Sequence, residues 1–137
     1  MRYPSTDKDY SPLLGWVTSA RTYIKQANFR AERNLMAYAE PLAFFAHLAG
    51  APYPDGFLRT AFNWVLQNHG HDSIGGCSRD IIHEDMLYRY RQADEISRCV
   101  MEEALLEICR AIDFTGWAPL PAFAESVFPA FEAATGI

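Results

Sequence analysis

The apolar residues of this chain recur at steps of three and four positions over two long stretches, a spacing typical of amphipathic helices. The first stretch covers residues 19–49, and its predicted apolar stripe is Leu35, Tyr38, Leu42, Phe45 and Ala49. Pro41 lies inside this stretch and removes one backbone donor. Because the stripe resumes beyond it, we expect a kinked helix rather than two separate helices. The Gly- and Pro-rich residues 50–54 predict where that helix ends.

Two further helices are predicted downstream. The shorter one covers residues 56–68 with Asp55 as its N-cap, and its apolar face consists of Phe57 or Leu58, Ala61 or Phe62, Val65 and Leu66. The longer one has Ser78 as its N-cap and Asp80 in its first turn, and it runs to about Asp113 without glycine or proline. Its predicted stripe is Ile82, Met86, Ala93, Ile96, Val100, Ala104 and Ile108.

This pattern predicts an all-α fold, since no strand-like alternation persists and no internal repeat occurs. We expect a small three-helix bundle with up-down connections, made of a long, kinked helix 1, a shorter helix 2 and a long helix 3. Residues 1–18 are predicted to be a lead-in segment and residues 19–114 the bundle. Residues 115–137 are predicted to be a C-terminal extension, with a short helix over 122–134.

Composition narrows the functional classes. The chain has 137 residues, half of them hydrophobic, which is enough for the core of one domain. Its net charge of -5 argues against nucleic-acid binding, which leaves a clustered basic footprint. There is no apolar run of membrane-spanning length and no signal-peptide pattern at the N-terminus. Three cysteines without a C-x-x-C pair favour a reducing cytoplasm over a disulfide framework.

The richest chemistry lies in the turn between the second and third predicted helices. Residues 68–78, called the site turn below, read NHGHDSIGGCS and combine two imidazoles, a carboxylate, three glycines, a thiol and two hydroxyls. Glycine allows close approach of the backbone to a ligand, and imidazole and carboxylate bind metals or polar substrates. We therefore predict that the site turn is the functional site and that the helices present it.

A metal is one candidate ligand of the site turn. The H-x-H spacing of His69 and His71 can supply two ligands, although a zinc site needs three or four. His83 lies early in helix 3 and could orient a group of the turn, while His47 is interpreted as a packing or capping residue. Any further ligands would come from another polypeptide segment. The alternative is a self-contained metal site formed by His69, His71 and His83.

Other features of the turn have simpler interpretations. Gly75 and Gly76 could form an anion-binding nest, or a flexible turn that leads into a helix. Cys77 precedes a helix N-terminus, which lowers a thiol pKa, yet no base accompanies it. The acidic residues between 80 and 95 alternate with arginines, so surface pairing is favoured over paired catalytic carboxylates.

Three segments together resemble the bacterial branch of the glycoside hydrolase family 38 α-mannosidases, over about residues 13–106. The site turn, followed by Asp80, IHEDM (82–86) and Arg89, is similar to the family pattern N-x-x-H-D-S-I-x-G-C-S-x-D-x-V-H-x-x-M. SARTYIKQAN (19–28) is similar to S-S-R-x-Y-L-K-Q-x-N, and AEPL (39–42) is the third segment.

The resemblance implies the middle, helical domain of a larger enzyme that hydrolyses α-mannosides with retention, through a covalent intermediate on an aspartate. It implies a divalent metal, usually zinc, with three protein ligands from a preceding catalytic domain and the fourth from His71. Asp72 is then expected to contact a sugar hydroxyl, and His69 to have a supporting role. β-Sandwich domains are expected to follow, and no catalytic nucleophile lies in this chain.

The sequence departs from the family pattern at Ala20 and Gly75, which concerns fine positioning. The chain is expected to be inactive alone and to bind zinc weakly. The alternative function is a helical protein-interaction module that has lost catalysis. Self-association is compatible with both functions, because a missing neighbour also leaves apolar surface bare.

Overall fold

The described part of the chain, residues 17–113 and 115 of this computed structural model, is built from helices. The elements are α1 (Thr22–Glu32), a π-helical segment (Arg33–Ala39), α2 (Glu40–Leu48), α3 (Asp55–Leu66), α4 (His71–Gly75) and α5 (Asp80–Ala111). No strand occurs within these residues, so the predicted all-α class is confirmed. None of the described helices is apolar enough over a sufficient length to cross a membrane.

The predicted division of the chain into segments stays a prediction. The helix expected at 122–134, most of the lead-in and all of the extension except Thr115 lie outside the described residues. Within the described part, the three-helix description is too simple, because the first helix contains a π-helical segment and a short fourth helix lies in the site turn.

The helices lie side by side, and α5 packs against each of the others. Arg21 pairs with Asp80, and Tyr90 bonds Asn28 further along, so α1 runs parallel to α5. α3 runs back between them, since its end leads into the site turn beside the start of α5. The predicted up-down connections therefore describe the three long segments correctly.

The long first helix accommodates Pro41 without ending. The backbone widens into the π-helical segment directly before Pro41, which is the second residue of α2. Pro41 has no N–H to donate to the carbonyl of Ala37 four residues earlier, and a wider turn is one way in which a helix adapts to such a loss. The helix continues past Pro41 as predicted, with π-helical geometry in the preceding turns, while the predicted kink stays a prediction.

The predicted stripe of this helix was wrong in phase. Only Leu35 of its five residues is buried, whereas Tyr38 and Phe45 are exposed. The buried stripe is Ile24, Ala27, Ala31, Leu35, Ala39, Ala43 and Ala46. Steps of four drift around a regular α-helix by about 40° each. The π-helical segment has more residues per turn, so it cancels part of that drift and keeps the alanines on the inner face.

Both predicted N-caps were wrong by one residue. Pro54 occupies the N-cap of α3 and Asp55 is its first helical residue. Arg79, rather than Ser78, occupies the N-cap of α5, and neither cap makes a side-chain hydrogen bond to its helix. Asp55 and Asp80 do lie in the first turns, where a carboxylate is favourable near the positive end of a helix.

The inner faces of α3 and α5 largely follow the predicted periodicity. The structure selects Leu58 over Phe57 and Ala61 over Phe62, and it leaves Leu66 exposed. On α5 the predicted residues that are buried are Met86, Ala93, Val100 and Ala104. The buried residues of α5 that the stripe missed are His83, Tyr90 and Ser97.

The core is made of small side chains. Alanine accounts for more than half of the buried apolar residues in the described part, which lets the helix backbones approach closely. Many large apolar side chains are instead exposed, among them Phe29, Phe44, Phe45, Leu48 and Phe57. This distribution leaves an apolar outer surface on a bundle with a narrow interior.

A groove of about 870 Å³ lies at the end of the bundle that is remote from the site turn. It is open to solvent and mainly apolar, and it is formed by α2, the connection to α3, the start of α3 and the last turns of α5. Its walls include Ala46, Tyr53, Phe57, Val100, Leu106 and Arg110.

Candidate functional site

The site turn contains one short helix rather than an irregular loop. Gly70 precedes α4 with extended backbone, and Gly76 ends α4 in the left-handed conformation with φ of 87°. An added Cβ at Gly76 would lie 3.3 Å from the Ala20 Cβ and 3.3 Å from the Lys25 Nζ. Its positive φ therefore favours glycine, and its close packing leaves little room for a Cβ at this position.

His71 and Asp72 begin α4 and point into open space. The His71 side chain is 96% exposed and the Asp72 side chain 68% exposed, and His71 Nε2 lies 3.3 Å from Asp72 Oδ1. The imidazole and the carboxylate predicted to act together are thus neighbours at the surface. Their roles as metal ligand and substrate contact stay predictions.

The residues that follow α4 form hydrogen bonds with Asp72. Its carbonyl accepts hydrogen bonds from the N–H groups of Cys77 and Ser78, at 3.1 and 3.3 Å. The Cys77 thiol lies 3.3 Å from Asp72 Oδ1 and donates to it. This hydrogen bond is the main reason that the pKa of Cys77 is raised, so the lowering predicted from its place before a helix was wrong. The thiol remains a donor and is a poor nucleophile.

The start of the site turn is fixed from two sides. Asn68 is fully buried, donates from Nδ2 to the Met86 carbonyl at 3.1 Å, and accepts from Arg89 at 3.2 Å. His69 Nε2 lies 2.9 Å from Asn28 Oδ1, an oxygen that also accepts from the Tyr90 hydroxyl at 3.0 Å. His69 thus connects the turn to α1, which fits the supporting role expected for it.

The end of the site turn is fixed by two cations. Arg21 donates from Nε to the Gly76 carbonyl at 3.1 Å, and Lys25 donates from Nζ to the Gly75 carbonyl at 3.3 Å. The same Arg21 forms an ion pair of 2.6 Å with Asp80 at the start of α5. The two glycines therefore present carbonyl oxygens to cations.

An anion-binding nest is not supported at Gly75 and Gly76. The N–H of Gly76 donates to the Ser73 carbonyl, and the next two N–H groups donate to Asp72. Since these donors already have partners within the turn, none is left to converge on an anion.

The other histidines do not join the site. His83 is 1% exposed, and neither ring nitrogen has a hydrogen-bond partner in the described part of the chain, so it orients no group of the turn. His47 Nδ1 lies 2.9 Å from the Ala51 carbonyl, a contact with the connection after α2 rather than with a terminal carbonyl of the helix. Among residues 17–113 and Thr115, no three His, Cys, Asp or Glu side chains are grouped as metal ligands. A self-contained site of His69, His71 and His83 therefore has no geometric support.

Asp80, Asp94 and Glu95 of α5 form surface pairs with arginines, as predicted, although Asp80 and Asp94 pair with arginines outside α5. Asp94 pairs with Arg30 of α1 at 3.3 Å, and Glu95 pairs with Arg98 of its own helix. Hydrogen bonding to Arg98 lowers the pKa of Glu95, which keeps this carboxylate charged and unsuited to general-acid chemistry.

The fold and the site turn define a helical domain of the glycoside hydrolases. The family model described as the α-mannosidase middle domain matches residues 15–108. Because this match covers more than half of the chain, the chain belongs to that family, and its homologues are glycoside hydrolase family 38 enzymes.

Particular relatives agree with this assignment. A curated protein of Halalkalibacterium halodurans, named for mannosylglycerate hydrolysis, is 32% identical over 104 residues, which are 72% of this chain and 11% of the relative. A solved structure of a family 38 glycosyl hydrolase from Enterococcus faecalis is 38% identical, with a TM-score of 0.72 over 74% of this chain and 12% of that chain. A second solved structure, an α-mannosidase from the same organism, matches equally well. The chain thus spans only about an eighth of the length of these relatives.

The sequence identified His71 and Asp72 of the turn, but it assigned no roles to the residues at the start of α1 that hold the turn. Arg21, Lys25 and Asn28 all lie in the segment 19–28 that carries part of the family resemblance. Their contacts give that segment a physical meaning, because each reaches the site turn or its partner on α5. The motif therefore contains these residues, but their partners become apparent only in the structure.

Proposed function

We propose that this chain is the middle domain of a retaining, metal-dependent α-mannosidase and that it contributes His71 and Asp72 to a composite active site. His71 would bind the metal and Asp72 would contact a sugar hydroxyl. A catalytic domain before this one would supply the remaining ligands and the nucleophile, and β-sandwich domains would follow. The substrate class is α-mannosides, in agreement with the names of the relatives.

The observation that carries this proposal is the exposure of His71 on a turn that is fixed at both ends. An imidazole 96% exposed can enter the coordination sphere of a neighbouring domain without rearrangement of the bundle. A buried imidazole pointing into the core could not do so.

The donor set suits a divalent metal, usually zinc, only as part of a larger site. Neutral imidazole and carboxylate are ordinary zinc ligands, and a structural or catalytic zinc needs at least three protein ligands. One imidazole gives no chelate, so the proposal requires ligands from outside the described residues. When bound, the metal would hold sugar hydroxyls, and Asp72 would orient one of them by accepting its hydrogen bond.

The isolated chain is expected to lack glycosidase activity, because hydrolysis with retention needs a nucleophilic carboxylate beside the scissile bond. In the described part, Asp80, Asp94 and Glu95 of α5 are paired with arginines, and Asp72 is the carboxylate of the site turn. The chain therefore positions substrate and metal in this proposal and carries out no bond-breaking step.

A chimera tests the proposal. The middle domain of the Enterococcus faecalis α-mannosidase is replaced by residues 15–108 of this chain, and metal content and turnover are measured with and without His71→Ala. We expect metal affinity and activity to fall together by more than about a hundredfold, because His71 is proposed as a direct ligand and the loss of a group that only orients a ligand already costs about tenfold to a hundredfold. His47→Ala is the matched control, since His47 is a surface histidine bonded to a carbonyl at the other end of the bundle. Unchanged metal content and turnover in His71→Ala would overturn the proposal.

A helical interaction module that has lost catalysis is the second candidate, favoured by the exposed side chains of Phe29, Phe45 and Phe57. A middle domain that packs against neighbours needs the same kind of surface, and either could self-associate when bare. Coding sequence for an aspartate-bearing catalytic domain, in frame and directly upstream, would favour the enzyme over the module.

We also propose a cytoplasmic location. All three cysteines, Cys77, Cys99 and Cys109, are free thiols, which suits a reducing compartment.

A further inference from the structure

We propose that Arg21 and Lys25 form a cationic clamp that sets the position of His71 and Asp72. Neither residue touches the reacting groups, so both are positioning residues. The inference rests on the proposed function for its consequence in the enzyme, while its effect on the site turn can be measured in this chain alone.

Arg21 joins three parts of the fold through one guanidinium. Its Nε donates to the Gly76 carbonyl at 3.1 Å, and its terminal nitrogen reaches Asp80 Oδ1 at 2.6 Å. The planar fork of arginine favours such simultaneous contacts in fixed directions, which a lysine in the same place could not reproduce. The start of α1, the end of the turn and the start of α5 are therefore held in one arrangement.

The backbone of Arg21 supports a specific role for this residue. It has φ of 47° and ψ of 55°, and it is the non-glycine residue with positive φ in the described part. Such a conformation is disfavoured for a residue with a Cβ and persists where surrounding contacts over-determine it. Here it aims the side chain back across the start of α1 toward Gly76 and Asp80.

Lys25 lies one helical turn further along α1 and holds the adjacent carbonyl. Its ammonium donates to Gly75 O at 3.3 Å and also to Ala20 O. Burial lowers the pKa of Lys25, as expected for an ammonium group partly removed from water. The carbonyls at the end of a helix lack partners within it, so a cation placed there satisfies them.

The turn packs against the residues next to the clamp, most closely at Gly76. An added Cβ at Gly75 would lie 3.4 Å from the Val17 Cγ1, and one at Gly76 would lie 3.3 Å from the Ala20 Cβ. The turn therefore rests directly on the segment that carries the clamp.

Backbone hydrogen bonds transmit the position of the clamp to Asp72. Cys77 and Ser78, the two residues directly after Gly76, both donate to the Asp72 carbonyl. A shift of Gly76 must therefore move or break the bonds that hold Asp72, and His71 is the neighbouring residue in the same single-turn helix.

The first experiment uses this chain as it exists. Amide hydrogen exchange is measured at Gly76, Cys77 and Ser78 in Arg21→Met, Lys25→Met and the double variant. We expect exchange at these amides to accelerate by about tenfold or more, because their local opening no longer breaks two charge-assisted bonds. Exchange in the middle of α5 is expected to stay unchanged. Arg59→Met is the matched control, since Arg59 forms only an exposed pair with Asp55.

The second experiment uses the chimeric enzyme. Metal affinity is expected to fall by about tenfold to a hundredfold in Arg21→Met, with partial recovery in Arg21→Lys. A purely structural role would lower thermal stability without this selective effect, so the melting temperature is measured in the same samples. If the double variant does not fold, Lys25→Gln alone provides the measurement.

The outcomes separate the two proposals. Unchanged exchange at residues 76–78 and unchanged metal affinity in the Arg21 and Lys25 variants would overturn the clamp. Faster exchange in these variants, together with normal metal affinity in His71→Ala, would support the clamp and overturn the proposed function.

Discussion

The two ends of the bundle differ in the kind of side chains that form them. At one end, charged and polar side chains fix the site turn while His71 and Asp72 stay exposed. At the other end, an apolar groove of about 870 Å³ lies open to solvent. The contrast teaches that directional contacts hold the backbone of the site turn, whereas the groove offers a broad apolar surface.

The physical reason is that the two kinds of interaction differ in how strongly they depend on distance and direction. A metal ligand or a substrate contact must be held within a fraction of an ångström, which requires directional hydrogen bonds from rigid elements. An apolar surface tolerates small shifts, because its stabilisation depends on the area removed from water. α5, about 48 Å long by its helical rise, connects the two ends.

The largest effect is expected where the core reaches the groove. Leu58 is 4% exposed, while its neighbour Phe57 is 64% exposed and lines the groove. Leu58→Ala should lower the free energy of unfolding by about 2–5 kcal/mol, since it leaves a cavity. Phe57→Ala should change it by about 0.5 kcal/mol or less. Chemical denaturation of both variants measures the difference, and equal losses would contradict the boundary between core and groove.

A pair of glycines compares the packing of the two ends. Gly76 and Gly50 both have positive φ, but a Cβ at Gly50 would meet nothing within 4 Å, whereas one at Gly76 would meet Ala20 and Lys25. Alanine at either position should cost about 1–2 kcal/mol of backbone strain. The loss in Gly76→Ala should be the larger of the two by denaturant midpoint. An equal loss in Gly50→Ala would show that contacts at the site turn add nothing.

The smallest effect concerns two tyrosines at high pH. Burial raises the pKa of Tyr90, at the site end, from 10.0 to about 12, and burial also raises the pKa of the more exposed Tyr53 in the groove. A raised pKa in the folded state means that the stabilisation is complete below pH 10 and is lost as pH rises toward 12. Tyr90→Phe should flatten this alkaline loss of stability more than Tyr53→Phe. Equal alkaline profiles for the two variants would contradict the difference in burial.

The sequence predicted the helices better than their faces. The glycine- and proline-free run after Ser78 was enough to locate α5, because nothing in it opposes a helix. The face of the first helix was misplaced, because large apolar residues such as Tyr38 and Phe45 drew the predicted stripe and the π-helical segment shifted its phase. Periodicity cannot show that alanine, rather than an aromatic residue, occupies the inner face.

The candidate site was predictable in part for a similar reason. His71 and Asp72 carry recognisable chemistry, and the structure places them together at the surface. Arg21 and Lys25 are distant in sequence from Gly75 and Gly76. What they contact in these two glycines is the backbone carbonyl oxygen. A contact between a side chain and a remote backbone atom leaves no mark in hydrophobic spacing, so coordinates were needed to find it.

In this domain alanine is frequent in the interior, and many aromatic side chains lie on the surface. The alanines let the helix backbones approach closely, which keeps the interior of the bundle narrow. The exposed aromatic rings are available to pack against a neighbouring domain or protein. A neighbour that covered these rings would therefore remove from water the apolar area that the bundle itself leaves exposed.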